Sequence, residues 1–411
     1  MTDTITPLPV ACRSDAQATP DPRRGHARYR EQGLSLVELM VAMLISTLIM
    51  IGLVQVFSAS RSTYTVDEGL ARLQENGRFA MDFLARDIRM AGNMGCIGNI
   101  PPSKLSQMTT NYLPGPSSAF DFSRGGIEGY EAVGTTPGVS YTLPTLYSAT
   151  NVSNTSPTLD TTTLVPSGAV KGSDVLVLRT MDPNAVRLVS PFNSSAQVFV
   201  SQPNNLQKDQ ILVVTDCDRA SIFQATTVSN STTSGQTNIS HANPNICSNW
   251  GQGTCPGKQY KQGAQIAVFN PMVYYVAAGA NGPSLWRNTW PGGTYTPTEL
   301  VEGVENMQIL YGVDSDRDEP PTGVWHNADR YVPASQIPND PVTGLPDWSR
   351  VVSVRVALLV SGRASSTATG QTNSLTDTAT YSADGVTLSL PAADTRQRRV
   401  FTATVELRNR H

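Results

Sequence analysis

The sequence predicts an α+β fold: one long N-terminal α-helix followed by a strand-rich region with long loops. Three observations predict it. Residues 34–57 form an apolar run without Pro, Lys or Arg. Residues 58–92 go on with apolar side chains at three- and four-residue steps, the period of a helix with one buried face. From Val175 onward, runs rich in Val, Ile, Tyr and Phe alternate with clusters of Gly, Pro, Asn and Asp, the pattern of strands and turns.

Residues 1–33 carry Pro7, Pro9, Pro20 and Pro22 and a crowd of Arg23, Arg24, Arg28 and Arg30, and read as a polar leader outside the fold. The 24 residues Leu34–Phe57 contain only Glu38 and Gln55 as strongly polar side chains. As a helix they span ~36 Å, enough for a bilayer core of ~30 Å. Arginines lie before the run and none within it, which orients the leader to the cytoplasm and the remainder outward. Glu38 is costly in lipid, about 2.5–3.5 kcal/mol at the bilayer centre and less near the interface, so it calls for a cationic partner. A chain cut after Gly33 would offer one, because the new amine of Leu34 lies one helical turn away, at the positive end of the helix dipole. The amine of a neighbouring subunit would serve equally.

In the second half of the helix, Leu70, Leu73, Gly77, Met81, Leu84 and Ile88 form the apolar stripe, flanked by Phe79, Ala80 and Phe83. Gly92, Gly95 and Pro101-Pro102 end it. A helix of roughly 55–60 residues far exceeds the globular mean of ~11–12. Its first half must therefore be covered by lipid or by neighbouring helices. The chain divides on this reading into a leader (1–33), a transmembrane half-helix (34–57), an amphipathic half-helix (58–95) and a β-rich domain (96–411).

Within that last domain, residues 99–170 are rich in Ser, Thr, Pro, Gly and Asn and read as extended loops with short strands around Tyr141 and Leu164. So long a stretch without structure is out of place in a compact domain, so further sheet is expected there. Strands are expected at Val175–Arg179, Gln197–Val200, Ile211–Thr215, Ile222–Val228, Gln265–Phe269, Met272–Ala277, Ser284–Arg287 and Met307–Val313. Three more follow at Val351–Val360, Val386–Leu390 and Val400–Leu407.

Charged residues make up 15% of the 411, while Gly and Pro number 32 and 28, the profile of a loop-rich extracellular protein. Without residues 1–33 the chain has 25 basic and 29 acidic residues, which gives no electrostatic reason for nucleic acid as a direct partner. Cys96, Cys217, Cys247 and Cys255 form an even set beyond the leader, and two disulfides are expected. Of three connectivities, Cys96–Cys217 with Cys247–Cys255 is favoured, the second closing a short loop. The four histidines are His26, His241, His326 and His411, and no nucleophile elbow, zinc-helix or phosphate-loop motif is present, so the chain is not expected to be an enzyme or to need a cofactor. One cluster stands apart: Asp314, Asp316 and Asp318 alternate as in the opening of a calcium loop, although Glu319 stands where such a loop has Gly. It reads either as a calcium ligand set or as a solvated turn.

The hexapeptide Gly33-Leu34-Ser35-Leu36-Val37-Glu38, set between a basic leader and an apolar helix, resembles the class III signal of type IV prepilins. The resemblance implies cleavage by prepilin peptidase after Gly33, methylation of Leu34, which stands where major pilins usually have Phe, and an assembly contact at Glu38. Gln74-Glu75-Asn76-Gly77-Arg78-Phe79-Ala80, Asp87-Ile88-Arg89-Met90-Ala91-Gly92 and Gly95-Cys96 resemble the PilW group of minor pilins. So do Ser221-Ile222-Phe223-Gln224, Leu300–Gly312 and Arg398–Arg410. This implies a type IV pilin-like fold, the long N-terminal α-helix packed on an antiparallel β-sheet with large loop insertions, and a structural role: a minor pilin that primes pilus assembly at or near the tip. The implied partners are other minor pilins, the major pilin, prepilin peptidase and a large tip adhesin; the implied location is the inner membrane, with the C-terminal domain in the periplasm, and then the pilus. Adhesion and twitching motility would follow indirectly. A minor pseudopilin of type II secretion is the nearest rival, and a signal-anchored periplasmic enzyme the rival from another class.

Overall fold

A computed structural model describes residues 35–408 apart from 96, 98–101, 114–117, 145–154, 161–163, 166–167, 190–196, 242–259, 294, 316–326, 363–379 and 391–395. One helix runs from Leu36 to Met90. Contacts divide the chain into two units, Met1–Ser62 and Thr63–His411, with the boundary inside this helix.

In the second unit, the described strands form three sheets. The four-stranded sheet is antiparallel throughout, with Arg330–Val332, Val304–Val313, Val351–Ser361 and Arg398–Glu406 in that spatial order. The large sheet is built on Gln265–Ala278, which pairs with Val175–Met181 on one edge and with Ile211–Thr215 and then Pro283–Thr289 on the other. The smallest contains Thr380–Ala383, Val386–Ser389 and Ser140–Thr142. Two pairings are parallel, Thr109–Asn111 with Ala220–Ser231 and Ser140–Thr142 with Val386–Ser389, so the antiparallel expectation holds for most but not all of the sheet.

The core against the helix joins both large layers. Leu73, Ala80, Leu84, Ile88 and Ala91 pack with Met307, Ile309, Val356 and Leu358 of the four-stranded sheet and with Leu176, Leu178 and Tyr274 of the large one. Strand alternation gives these sheet residues a common face. Of the expected stripe, Leu73, Gly77, Leu84 and Ile88 are buried, Met81 is half-buried and Leu70 is exposed.

Three expectations need correction. Gln265–Phe269 and Met272–Ala277 are one strand, not two. Pro271 lies where that strand's second edge passes from Ile211–Thr215 to Pro283–Thr289, with residues 269–272 unpaired on that edge, a place where a missing N–H is tolerated. Leu164 belongs to no strand; it is buried in a loop, and its carbonyl accepts from Asn288 Nδ2 at 2.6 Å. Pro102 begins a short helix, Pro102–Met108, where a breaker alone was expected. The sheet expected within 99–170 is present, as Thr109–Asn111, Ser140–Thr142, Thr155–Ser156 and above all Ile127–Ala132, which is buried at all six positions. The composition of this last strand disguises it. Glu128 is held by Arg179 Nη2 at 2.6 Å and Arg124 Nη1 at 2.7 Å, and Gly129 leaves room for the Tyr311 hydroxyl, which would lie 1.9 Å from an added Cβ.

The C-terminal strand is tied in by charge. Glu305, fully buried, receives Arg398 Nε at 2.6 Å and Nη2 at 3.1 Å, and Arg396 Nη1 at 3.1 Å. Removing one partner of a buried pair leaves the other charge uncompensated, which costs about 3–5 kcal/mol. Glu305→Ala is therefore expected to lower the unfolding free energy in urea by about that much. The double variant Glu305→Met with Arg398→Met should regain most of it.

Candidate functional site

The first unit is described from Ser35. The segment that begins the helix is Ser35-Leu36-Val37-Glu38, and the Glu38 N–H donates to Ser35 Oγ at 3.3 Å. Ser35 is thus the N-cap and Glu38 the third helical residue, the positions of a capping box. This role was not among the sequence expectations, although the S-x-x-E spacing carries it. Glu38 is exposed, beside the positive end of the helix dipole. From Leu36 to Phe57 every side chain is exposed, including Leu36 at 75% and Phe57 at 70%. An 18-residue window of this helix is long and apolar enough to cross a membrane and is 0% buried. Gly33 and Leu34, the expected cleavage positions, lie outside the described residues.

In the second unit the helix is seated by close approach and by polar pins. A Cβ at Gly77 would lie 2.3 Å from the ring of Phe401 on the C-terminal strand, and a Cβ at Gly126 would lie 2.1 Å from Gly92 Cα. Asn76 Nδ2 donates to the Glu302 carbonyl at 3.0 Å. Asp87 accepts from the Tyr274 hydroxyl and from Arg287 Nη1 at 3.2 Å. Burial, and then the Asp87 carboxylate beside it, push the Tyr274 hydroxyl well above its ordinary pKa. At the helix end the Gly92 N–H donates to the Arg179 carbonyl at 2.9 Å and Met181 N–H to the Asn93 carbonyl at 2.7 Å. Residues 74–80 and 87–92, singled out in the sequence, thus place Asn76, Gly77, Ala80, Asp87 and Gly92 against the sheets, while Arg78 and Phe79 stay exposed. Sequence spacing could not supply the partners Tyr274 and Arg287, which lie 187 and 200 residues away from Asp87.

The remaining expected site residues are scattered. Cys217 is disulfide-bonded and sits at positive φ in a turn; Cys96, Cys247 and Cys255 lie outside the described residues. Asp314 is buried, and its N–H donates to the Arg350 carbonyl at 2.9 Å; Asp316 and Asp318 lie outside the described residues. No group of three or more His, Cys, Asp or Glu side chains able to hold a metal occurs among the described residues.

A capped apolar helix without cover in its own unit, continued by a half seated on sheets, defines a helix-bearing subunit suited to a membrane or to assembly among like helices. Residues 273–409 match the family model of the type IV pilus-assembly protein W (PilW), and residues 28–54 match the prokaryotic N-terminal methylation motif. The PilW match takes in Glu302–Glu305, Arg398 and the helix-receiving residues Tyr274, Met307, Ile309, Val356 and Leu358, while Leu176 and Leu178 lie before it. Among solved structures, a type IV-like pilin from Thermus thermophilus is similar at 18% identity over 50% of this chain and 86% of that chain, with a TM-score of 0.17. No curated protein matches.

Two glycines of one helix separate seating from propensity. A Cβ at Gly69 would meet nothing within 4 Å. Gly69→Ala is expected to stabilise by about 0.5–1 kcal/mol, the ordinary helix gain. Gly77→Ala should instead destabilise by about 1–3 kcal/mol, because the Phe401 ring must move. Thermal unfolding of the two variants in detergent measures both.

Proposed function

We propose that this chain is a minor pilin, processed by prepilin peptidase between Gly33 and Leu34, methylated at Leu34, and co-assembled with other pilins to prime a type IV pilus at its tip. The observation that carries the reading is the union in one chain of a methylation motif, an uncovered apolar helix and a PilW domain. Before assembly the helix from Leu34 to Phe57 lies in the inner membrane with the β-rich domain in the periplasm. On assembly the same surface passes from lipid to neighbouring helices, and Glu38 pairs with a terminal amine. Other minor pilins, the major pilin and a large tip adhesin are the partners this requires. The role is structural rather than catalytic.

Mass spectrometry of the membrane-fraction protein, with and without prepilin peptidase, tests the reading. N-methylated Leu34 is expected with the peptidase, and an intact Met1–Gly33 segment in its presence would sink the proposal. Glu38→Ala is expected to leave processing intact and to deplete the chain from sheared pili. Deleting the gene should thin surface pili; loss of protein secretion with normal pili would favour the pseudopilin reading.

The disulfide of Cys217 is assigned to Cys96 on the same footing. What supports the assignment is the contact of the preceding residue: an added Cβ at Gly95 would lie 3.2 Å from Thr215 Cγ2, two residues before Cys217. Peptide mapping without reductant should yield a Cys96–Cys217 cross-link, with Cys247 joined to Cys255. A Cys217–Cys247 or Cys217–Cys255 peptide would refute the assignment.

A further inference from the structure

Beside the helix end lies a cavity of about 560 Å³, entirely within the second unit. Its rim carries the exposed Arg86, Arg89 and Arg408, and Arg287 enters from the side. Arg86 and Arg89 are three residues apart and share a helix face. Two carboxylates, Asp87 and Asp182, oppose these four cations, leaving the lining net positive. Asp87 is already engaged by Arg287 and Tyr274. Asp182 Oδ1 accepts from the Asn184 N–H at 2.8 Å. Arg86, Arg89 and Arg408 have no ion-pair partner among the described residues, and Arg287 Nε is buried without a hydrogen bond. The floor is of a different character: Met90, Met181 and Met272, with Thr180 and Asn270 offering hydroxyl and amide groups.

We infer that this cavity receives an acidic segment of a partner polypeptide, a carboxylate-bearing side chain flanked by an apolar one. The guanidinium fork matches a carboxylate in two parallel hydrogen bonds, and three unengaged forks with a buried Nε donor provide more such capacity than the chain itself uses. Thioether side chains form an adaptable apolar floor suited to an apolar neighbour of that carboxylate. The volume lies within the range of small-ligand sites and holds a few side chains, not a helix or a strand. The inference gives residues 86–92 a second use: Asp87 seats the helix while Arg86, Arg89 and Met90 face a visitor. It does not depend on cleavage at Gly33 or on the chain's destination.

The test uses the full-length protein in detergent micelles and a fluorescein-labelled peptide, Leu-Asp-Glu-Met, blocked at its C-terminus, with Leu-Asn-Gln-Met as its neutral twin. Fluorescence anisotropy at low ionic strength is expected to show saturable binding of the acidic peptide and at least tenfold weaker binding of the neutral one. The paired variant Arg86→Ala with Arg89→Ala, and separately Arg408→Ala, should each weaken binding about tenfold or more, the scale of losing a charged hydrogen bond. Arg78→Ala, on an exposed part of the helix away from the cavity, should leave it unchanged. Arg86→Lys with Arg89→Lys should fall between, keeping charge but losing the fork. Far-ultraviolet circular dichroism confirms that each variant is folded. Equal binding of both peptides, or indifference to the Arg86 and Arg89 changes in folded protein, overturns the inference. So does binding of inorganic phosphate that displaces a bound acidic peptide at equal concentration, which would make this a site for a free anion.

Discussion

An apolar helix surface with no cover among the described residues of its unit sets the terms for the rest of this molecule. The 18-residue window identified within the helix is 0% buried, and a surface of that length cannot stay in water without a cost on the order of 25 cal/mol for each Å² left wet. Lipid and a bundle of similar helices are two solvents that remove the same cost. A helix is the right element for both, because its backbone donors and acceptors are satisfied internally in either surrounding. The few groups left over at its start are met by Ser35, which caps the helix, and by a carboxylate at Glu38 that suits the dipole there.

The second half of the helix faces a different constraint. Apolar packing holds a helix on a sheet but is indifferent to sliding by a turn, since hydrophobic contact has no direction. Direction comes from features that fit at one register only. Gly77 admits the Phe401 ring, Gly126 admits Gly92, and Asp87 meets Tyr274 and Arg287. Phe401, Tyr274 and Arg287 lie on three different strands and Gly126 in the bend just before a fourth, so displacement by one turn would break all of these contacts together.

The helix was legible in the sequence because its signals are local: an unbroken apolar run, then a three- and four-residue stripe, then glycines. Most strands from Val175 onward were legible for the same reason. The strand Ile127–Ala132 was not, because its Glu128 and Gly129 look wrong for a buried strand until Arg179 and Tyr311 are known to be there. Pro271 misled in the opposite way, suggesting a break in a strand that merely changes partners. The motif residues around Asn76 and Asp87 could be picked out by resemblance, yet their partners lie about 190 to 230 residues away and no spacing rule reaches that far. Of the expected site residues, Glu38 has a visible local role that the sequence carried in its S-x-x-E spacing.

Buried charge follows a pattern that bears on how such a loop-rich chain reaches one structure. Glu128 with Arg179 and Glu305 with Arg398, both buried, and the half-buried Asp87 with Arg287 join segments 51, 93 and 200 residues apart. None of these pairs needs to add net stability, since desolvating two ions offsets most of their attraction. Their effect is on alternatives. A sheet built largely of Val, Ile and Leu pairs almost as well one step out of register, but a slip there would leave Glu305 or Arg398 buried without its counter-charge, at several kcal/mol. The apolar strands supply the drive to assemble, and the few ionic joints penalise each wrong assembly. Only a few of the chain's charged residues, 15% of the whole, are used in this way, and those few sit where strands or helix must meet in one way only.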